Sequence, residues 1–284
     1  MSNSNNDYSL KKFDIRKNIP FLPTEKRGPV IVLLGKRGTG KSHLLKDIMS
    51  RFTDIPFGTA IGGTELSSPF FANFLPSMFI QYEYDNNIIR NFFKRQLQVI
   101  ETQKEYINSG KGNQFDPRAF LILDDCLFDD RWTRDKLMRM VFLNGRHWNV
   151  MLILSMQYPM GLPPLLRENI DFCFILKAPS YTLKKKIYDN YASVFPNFDI
   201  FCSVLDQTTT DRECMVINNC STSGKFSDTV FWYRASSNIP DFKIGAKKYW
   251  DLSNEFKQPT SLINMLDDDT NKKKKQEVVV NKFK

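Results

Sequence analysis

Hydrophobic positions fall into two kinds of run along this chain. The first kind is short and apolar nearly throughout: residues 30–34 (Val-Ile-Val-Leu-Leu), 119–123, 150–155 and 172–176. Runs of this length and composition predict strands buried on both faces, as in a parallel sheet. The second kind recurs at helical spacing. Leu44, Leu45, Ile48 and Met49 share one face of 41–52. Ile89, Phe92, Phe93, Leu97 and Ile100 mark 86–107, a stretch free of Gly and Pro. Further helices are predicted at 133–144, 181–191 and 197–205. Strands alternating with helices predict an α/β fold with a mostly parallel central sheet flanked by helices.

The remaining segments are less regular. Residues 53–82 carry Gly and Pro breaks between aromatic-rich pieces, and within them 79–82 reads as a short strand. Residues 213–217 and 230–234 predict a small C-terminal hairpin across a polar loop at 218–228. Residues 1–28 are polar and mixed, with Pro20 and Pro23, and read as an N-terminal arm. From 254 the chain runs through acids at 267–269 and lysines at 272–275 with little to bury, the pattern of a disordered charged tail. The expected division is therefore an arm at 1–28, one domain at 29–253 and a tail at 254–284.

A formal net charge of +9 adds a partner class, because a basic surplus suits a polyanion such as nucleic acid, although solubility alone is the competing reading. Five cysteines without C-x-x-C spacing and two histidines argue against a disulfide framework or a zinc site and for a reducing compartment. The first eight residues are too polar for a signal peptide, and no apolar run approaches the ~20 residues of a membrane span, so a soluble intracellular protein is expected.

The candidate chemistry begins after the first apolar run. Gly35-Lys36-Arg37-Gly38-Thr39-Gly40-Lys41-Ser42 fits G-x-x-x-x-G-K-[ST] at every position. Glycines let backbone N–H groups turn inward around a phosphate, and the following helix adds its positive end. Lys41 would reach the β- and γ-phosphates of ATP, and Ser42 would offer its hydroxyl to Mg²⁺. The run 119–123 ends in Asp124 and Asp125. An apolar strand that delivers acids beside a phosphate loop is the Walker B arrangement: Asp124 would hold Mg²⁺, and Asp125 would orient or deprotonate the attacking water. Many ATPases carry Glu at the second place, so Asp125 is a departure. Asp129 and Asp130 read as a helix start.

The run 150–155 leads into Met156 and Gln157, whose amide is the candidate sensor of the γ-phosphate or the attacking water. Arg167, in Pro163-Pro164-Leu165-Leu166-Arg167-Glu168-Asn169, and Arg146, in Asn144-Gly145-Arg146-His147, compete as an arginine reaching a neighbouring subunit's nucleotide. A surface salt bridge is the alternative for either. Arg37 is expected to face solvent or DNA.

Taken together, the phosphate loop, Ile122-Leu123-Asp124-Asp125-Cys126, Asn144-Gly145-Arg146-His147, Ser155-Met156-Gln157 and the run from Leu162 to Asp171 resemble the DNA-packaging ATPases of large double-stranded DNA viruses, the poxvirus type, within the FtsK–HerA superfamily. The resemblance covers roughly residues 28–235. It implies a RecA-like P-loop core, a homo-oligomeric ring, ATP and Mg²⁺ as cofactors, and ATP-driven translocation of double-stranded DNA into a capsid. It further implies a capsid or portal protein as partner, and a site of action in the host cell cytoplasm or with the virion.

The DNA-contacting residues are less legible. Lys94, Arg95, Lys184, Lys185, Lys186, Lys247 and Lys248 are candidates, with a solvated helix face as the bland reading. Phe70, Phe71 and Phe74 suit core packing better than base stacking. Two other functions fit the phosphate loop. One is a nucleotide-gated scaffold with weak hydrolysis, kept open by the short Asp125. The other is a P-loop kinase of a small acceptor, for which 163–169 makes a poor lid.

Overall fold

A computed structural model describes residues 8–24, 28–125 and 131–255. Among these residues nine strands form one sheet: β1 (Lys11–Lys12), β2 (Val30–Leu34), β3 (Phe57–Gly62), β4 (Ile80–Gln81), β5 (Ala119–Asp124), β6 (Val150–Met156), β7 (Phe172–Ile175), β8 (Glu213–Asn218) and β9 (Val230–Arg234). Their spatial order is β1-β9-β8-β7-β2-β6-β5-β3-β4. Among the described strands, β7–β8 and β8–β9 are antiparallel and every other neighbouring pair is parallel. The mostly parallel α/β architecture expected from the apolar runs is the observed one.

The central strands are apolar throughout because the sheet is covered on both sides. Val30, Val32 and Leu34 of β2 enter one core, and Ile31 and Leu33 enter the other, as the two-residue period of a strand requires. The first core is roofed by α3 (Asn86–Asn108), α5 (Lys136–Asn144), α7 (Tyr181–Tyr191) and α8 (Phe198–Thr208), which contribute Phe92, Val141, Ile187 and Phe201 among others. The second is roofed by α2 (Lys41–Ser50), through Leu44, Leu45, Ile48 and Met49. Each such aliphatic side chain stabilises the fold by roughly 1.5–3 kcal/mol when fully buried.

Four features differ from the sequence reading. Residues 11–19 contain regular structure: β1 pairs with β9, and α1 (Ile15–Asn18) follows, capped by the Asp14 side chain. Phe13, Ile15, Ile19 and Phe21 are buried in the second core. Their polar neighbours hide this pattern, and Pro20 lies just beyond the helix. Strand β3 lies where only Gly and Pro breaks were visible. Gly58 belongs in it because a Cβ there would stand 2.3 Å from the Phe120 ring.

The helix expected at 133–144 is two helices, α4 (Arg131–Arg134) and α5, because Asp135 leaves helical geometry to cap the Leu137 N–H. Finally, β8 and β9 pair as the expected hairpin but extend the main sheet instead of standing apart. The remaining helices are α6 (Pro164–Arg167) and α9 (Lys247–Glu255). Asp129, Asp130 and the lysines at 272–275 lie outside the described residues.

Candidate nucleotide site

Strand β2 ends at Leu34 and its chain turns through residues 35–40 into α2. The turn needs glycine at two kinds of place. Gly38 and Gly40 hold left-handed backbone at φ 79° and 102°, which L side chains resist. At Gly35 a Cβ would fall 2.5 Å from the Thr39 hydroxyl, which itself donates to the Lys36 carbonyl at 2.7 Å. Lys41 opens α2, is nearly buried, and donates from Nζ to the Gly35 carbonyl at 2.9 Å. Burial lowers its pKa, against the opposing charges of Asp125 and Asp124. Ser42, Lys36 and Arg37 are exposed at the rim.

Asp124 is the last residue of β5 and sits opposite Ser155 of β6 and Gly62 of β3. Since β6 lies between β2 and β5, one strand separates the phosphate loop from the carboxylates. All of these groups lie at the carboxyl end of the parallel strands, the ordinary place for ligands in open α/β sheets. Burial pushes the Asp124 carboxyl up; the Ser155 hydroxyl draws it down, Asp125 adds to the rise, Lys41 opposes it, and Glu65 adds again.

A carboxyl whose folded pKa is raised contributes stability that is complete below its unfolded pKa and is lost as pH rises through the folded value. At neutral pH its charge therefore costs the nucleotide-free fold. Asp124→Asn should raise the melting temperature at pH 7 and leave it nearly unchanged at pH 3, and thermal melts at the two pH values check this.

Asp125 adopts left-handed backbone, φ 51°, with its N–H donating to the Ser155 carbonyl at 3.1 Å. Asp and Asn tolerate this conformation better than other side-chain-bearing residues. That is a physical reason for the short acid here, where Glu was the commoner expectation. Gln157, directly beyond β6, donates from Nε2 to Asp125 Oδ2 at 2.7 Å. The structure thus brings together Lys41, Asp124, Asp125 and Gln157.

It does not bring Arg146 or Arg167 to that cluster within the chain. Arg146 pairs with buried Asp171, which precedes β7 and whose Oδ2 accepts the Val30 N–H at 2.8 Å. Both Val30 and Asp171 mark the amino end of the parallel strands, opposite the phosphate loop. Arg167 is half-buried in the crossover from β6 to β7, donating to the Leu162 carbonyl at 2.8 Å.

The candidate DNA residues also have structural partners. Arg95 lies 3.9 Å over the Phe57 ring, Lys184 and Lys185 pair with Asp206 and Asp189, and Lys186 donates to the Tyr158 hydroxyl. Lys94, Lys247 and Lys248 are exposed, and Phe71 and Phe74 are core residues.

Glu65 escaped the sequence reading. It is buried just past β3 and accepts the N–H groups of Phe70, Phe71 and Ala72 at 2.9–3.0 Å. Its negative charge adds to that around Asp124. No spacing rule marks a lone acid between Thr64 and Leu66, so only the folded loop reveals it.

The donor set suits a nucleotide with a hard cation. The left-handed backbone at Gly38 and Gly40 and the crowding at Gly35 keep the loop free of side chains at these places, and Asp124 with Ser42 carries oxygen atoms of the kind that would hold Mg²⁺.

The family model for the poxvirus A32 protein matches residues 25–222. A protein of Acanthamoeba polyphaga mimivirus is 36% identical over 255 residues, covering 89% of this chain and 86% of its own. One from invertebrate iridescent virus 6 is 34% identical, covering 88% and 95%. In fold, the chain is similar to the genome packaging NTPase B204 from Sulfolobus turreted icosahedral virus 2, solved in complex with AMP. The TM-score is 0.52 at 14% identity, with 75% of this chain and 99% of that one covered. It is similar too to the pCW3 conjugation coupling protein TcpA, solved with ATPγS, with a TM-score of 0.52 at 12% identity, covering 87% and 73%. Among the described residues no helix is long and apolar enough to cross a membrane.

Proposed function

The chain belongs to the poxvirus A32 protein family, and from that premise we propose that it hydrolyses ATP with Mg²⁺ to drive double-stranded DNA into a viral capsid. The observation that carries the reading is the convergence of Lys41, Asp124, Asp125 and Gln157 at one end of the sheet, with Gln157 bonded to Asp125. In this reading the loop N–H groups and Lys41 hold the β- and γ-phosphates. Asp124 and Ser42 hold Mg²⁺, which when bound neutralises charge developing on the phosphoryl oxygens. Asp125 accepts the proton of the attacking water, and the Gln157 amide fixes the Asp125 carboxylate and that water in line with the γ-phosphate.

The working form is a homo-oligomeric ring around DNA in the host cytoplasm, docked to a capsid or portal protein. The motor domain takes in the N-terminal segment from β1 onward, which is part of the sheet and core, and runs through α9 to Glu255 ahead of the charged tail. Arg146, with 57% of its side chain exposed and Asp171 behind it, and Arg167 are the candidates to act on a neighbouring copy's nucleotide.

ATP turnover by the full chain with and without linear duplex DNA, at low and moderate salt, tests the proposal. The expected result is turnover that rises with DNA and loses that rise as salt increases. It should fall about 10²–10³-fold in Asp125→Asn, a substitution the left-handed backbone accepts. Arg146→Ala and Arg167→Ala run beside it, and whichever variant keeps full turnover has no role in trans. Turnover indifferent to DNA would refute the motor. Tight ATP binding without turnover would point to a nucleotide-gated scaffold instead.

A further inference from the structure

The acids and the sensor occupy one side of the phosphate loop, and a cavity occupies the other. In the sheet order β9-β8-β7-β2-β6-β5, Asp124, Asp125 and Gln157 belong to the β6–β5 side of β2. On the β7–β8–β9 side lies a cavity of about 210 Å³. Its wall includes residues 38–40 of the phosphate loop, His43 of α2, Leu176 just beyond β7, Arg212 just before β8 and Ala235 just after β9. Because β8 runs antiparallel to β7, and β9 to β8, Arg212 and Ala235 stand at the same end of the sheet as the loop.

A triphosphate held on the loop with its γ-phosphate toward Asp124 and Asp125 leads its α-phosphate, and whatever follows, to the other side. The cavity is smaller than the ~300–1,000 Å³ of a pocket that takes a whole ligand. It suits one part of a molecule whose remainder lies on the loop.

Two details show that the wall is built. Asp211 and Arg212 both hold left-handed backbone, φ 47° and 64°, in a turn closed by the Glu213 N–H on the Thr210 carbonyl at 2.8 Å. Such conformations are uncommon for an arginine, and strained backbone concentrates at ligand clamps. The turn places an exposed arginine, with no hydrogen bond or ion pair to the described residues, at the cavity mouth. In the same wall, His43 Nε2 donates to the Ser236 carbonyl at 2.7 Å, tying α2 to the chain leaving β9. Apolar Leu176 lines the interior. A planar cation beside an apolar wall is the arrangement that accepts a flat π-system.

We propose that this cavity takes the nucleoside half of the nucleotide, with the Arg212 guanidinium stacked over the base. The assignment rests on the ATPase reading above and deepens it by naming the residue that distinguishes a nucleotide from bare polyphosphate.

Calorimetric titration of the full chain with ATP–Mg²⁺ and, separately, with inorganic tripolyphosphate–Mg²⁺ tests it. Arg212→Asn tolerates the left-handed backbone and removes the guanidinium. It should weaken ATP about tenfold or more and leave tripolyphosphate unchanged. Arg212→Lys keeps the charge without the plane and should fall between wild type and Asn. Equal losses for both ligands would put Arg212 on the phosphates and overturn the assignment. So would an Asn variant that binds ATP as the wild type does. Wild-type protein that binds neither ligand would sink the ATPase reading itself, and this assignment with it.

Discussion

Lys41→Ala is expected to cut ATP turnover about 10²–10³-fold, the usual cost of removing one preorganised charge-stabilising donor, without lowering the melting temperature of the nucleotide-free chain. The two halves of this result have one cause. Lys41 is nearly buried, and burial lowers its pKa although Asp125 and Asp124 pull it up. A lysine whose folded pKa lies below the unfolded value contributes stability above that unfolded value and loses it as pH falls through the folded one. At pH 7 the buried ammonium is therefore a net cost to the empty fold, partly offset by its 2.9 Å bond to the Gly35 carbonyl. Alanine removes both. Steady-state turnover and calorimetric melting on the same preparations measure the outcome. A variant that hydrolyses ATP at more than a tenth of the wild-type rate would refute the role given to Lys41. One that melts well below wild type would show that the lysine holds the loop together.

The parts legible in the sequence were those carried by short-range rules. Val30–Leu34, Ala119–Asp124, Val150–Met156 and Phe172–Ile175 announce themselves because a strand buried on both faces must be apolar at every place. The phosphate loop is legible because phosphate geometry dictates its spacing. What stayed hidden depends on partners far away in the chain. β3 reads as a broken stretch because Gly58 answers to the Phe120 ring, 62 residues later. Phe13 looks isolated among polar neighbours until it meets Phe172, Phe174 and Phe231 edge-on at 5.4–5.8 Å.

Within the site, the cluster of Lys41, Asp124, Asp125 and Gln157 could be proposed from strand ends alone. The left-handed turn that favours Asp over Glu at 125 could not, since nothing in Asp-Asp-Cys declares a positive φ. Glu65 and Arg212 were missed for the same reason: each acts through a loop whose shape only the folded chain sets.

Arg118→Ala is expected to destabilise the fold by about 3 kcal/mol, the low end of the range for breaking a buried ion pair, and to lower the melting temperature by roughly 6–12 °C for a domain of this size. Arg118 lies just before β5 and is 2% exposed, which few arginines are unless fully partnered. Its Nε and Nη2 donate to Asp116 at 2.6–3.0 Å, Nη2 also to Asp54 at 2.7 Å, and Nη1 to the Phe21 carbonyl at 2.8 Å. One guanidinium thus ties the entry to β5, the turn after α2 and the N-terminal segment together. Burial pushes the Asp54 carboxyl up, and the Arg118 bond and charge outweigh it, so its pKa is held below the ordinary value.

A carboxylate with a depressed pKa contributes stability above its unfolded pKa and loses it as pH falls through the folded one. The gap between wild type and Arg118→Ala should accordingly narrow as pH falls below the ordinary carboxylate range, about pH 4, toward the depressed value of Asp54. Urea melts at pH 7 and pH 3 read both the loss and its narrowing. Because the three elements converge behind β5 and away from the nucleotide, the folded variant should bind ATP with unchanged affinity. A variant of full stability at pH 7 would show that solvent replaces the guanidinium without cost and that the N-terminal segment docks on its aromatic residues alone.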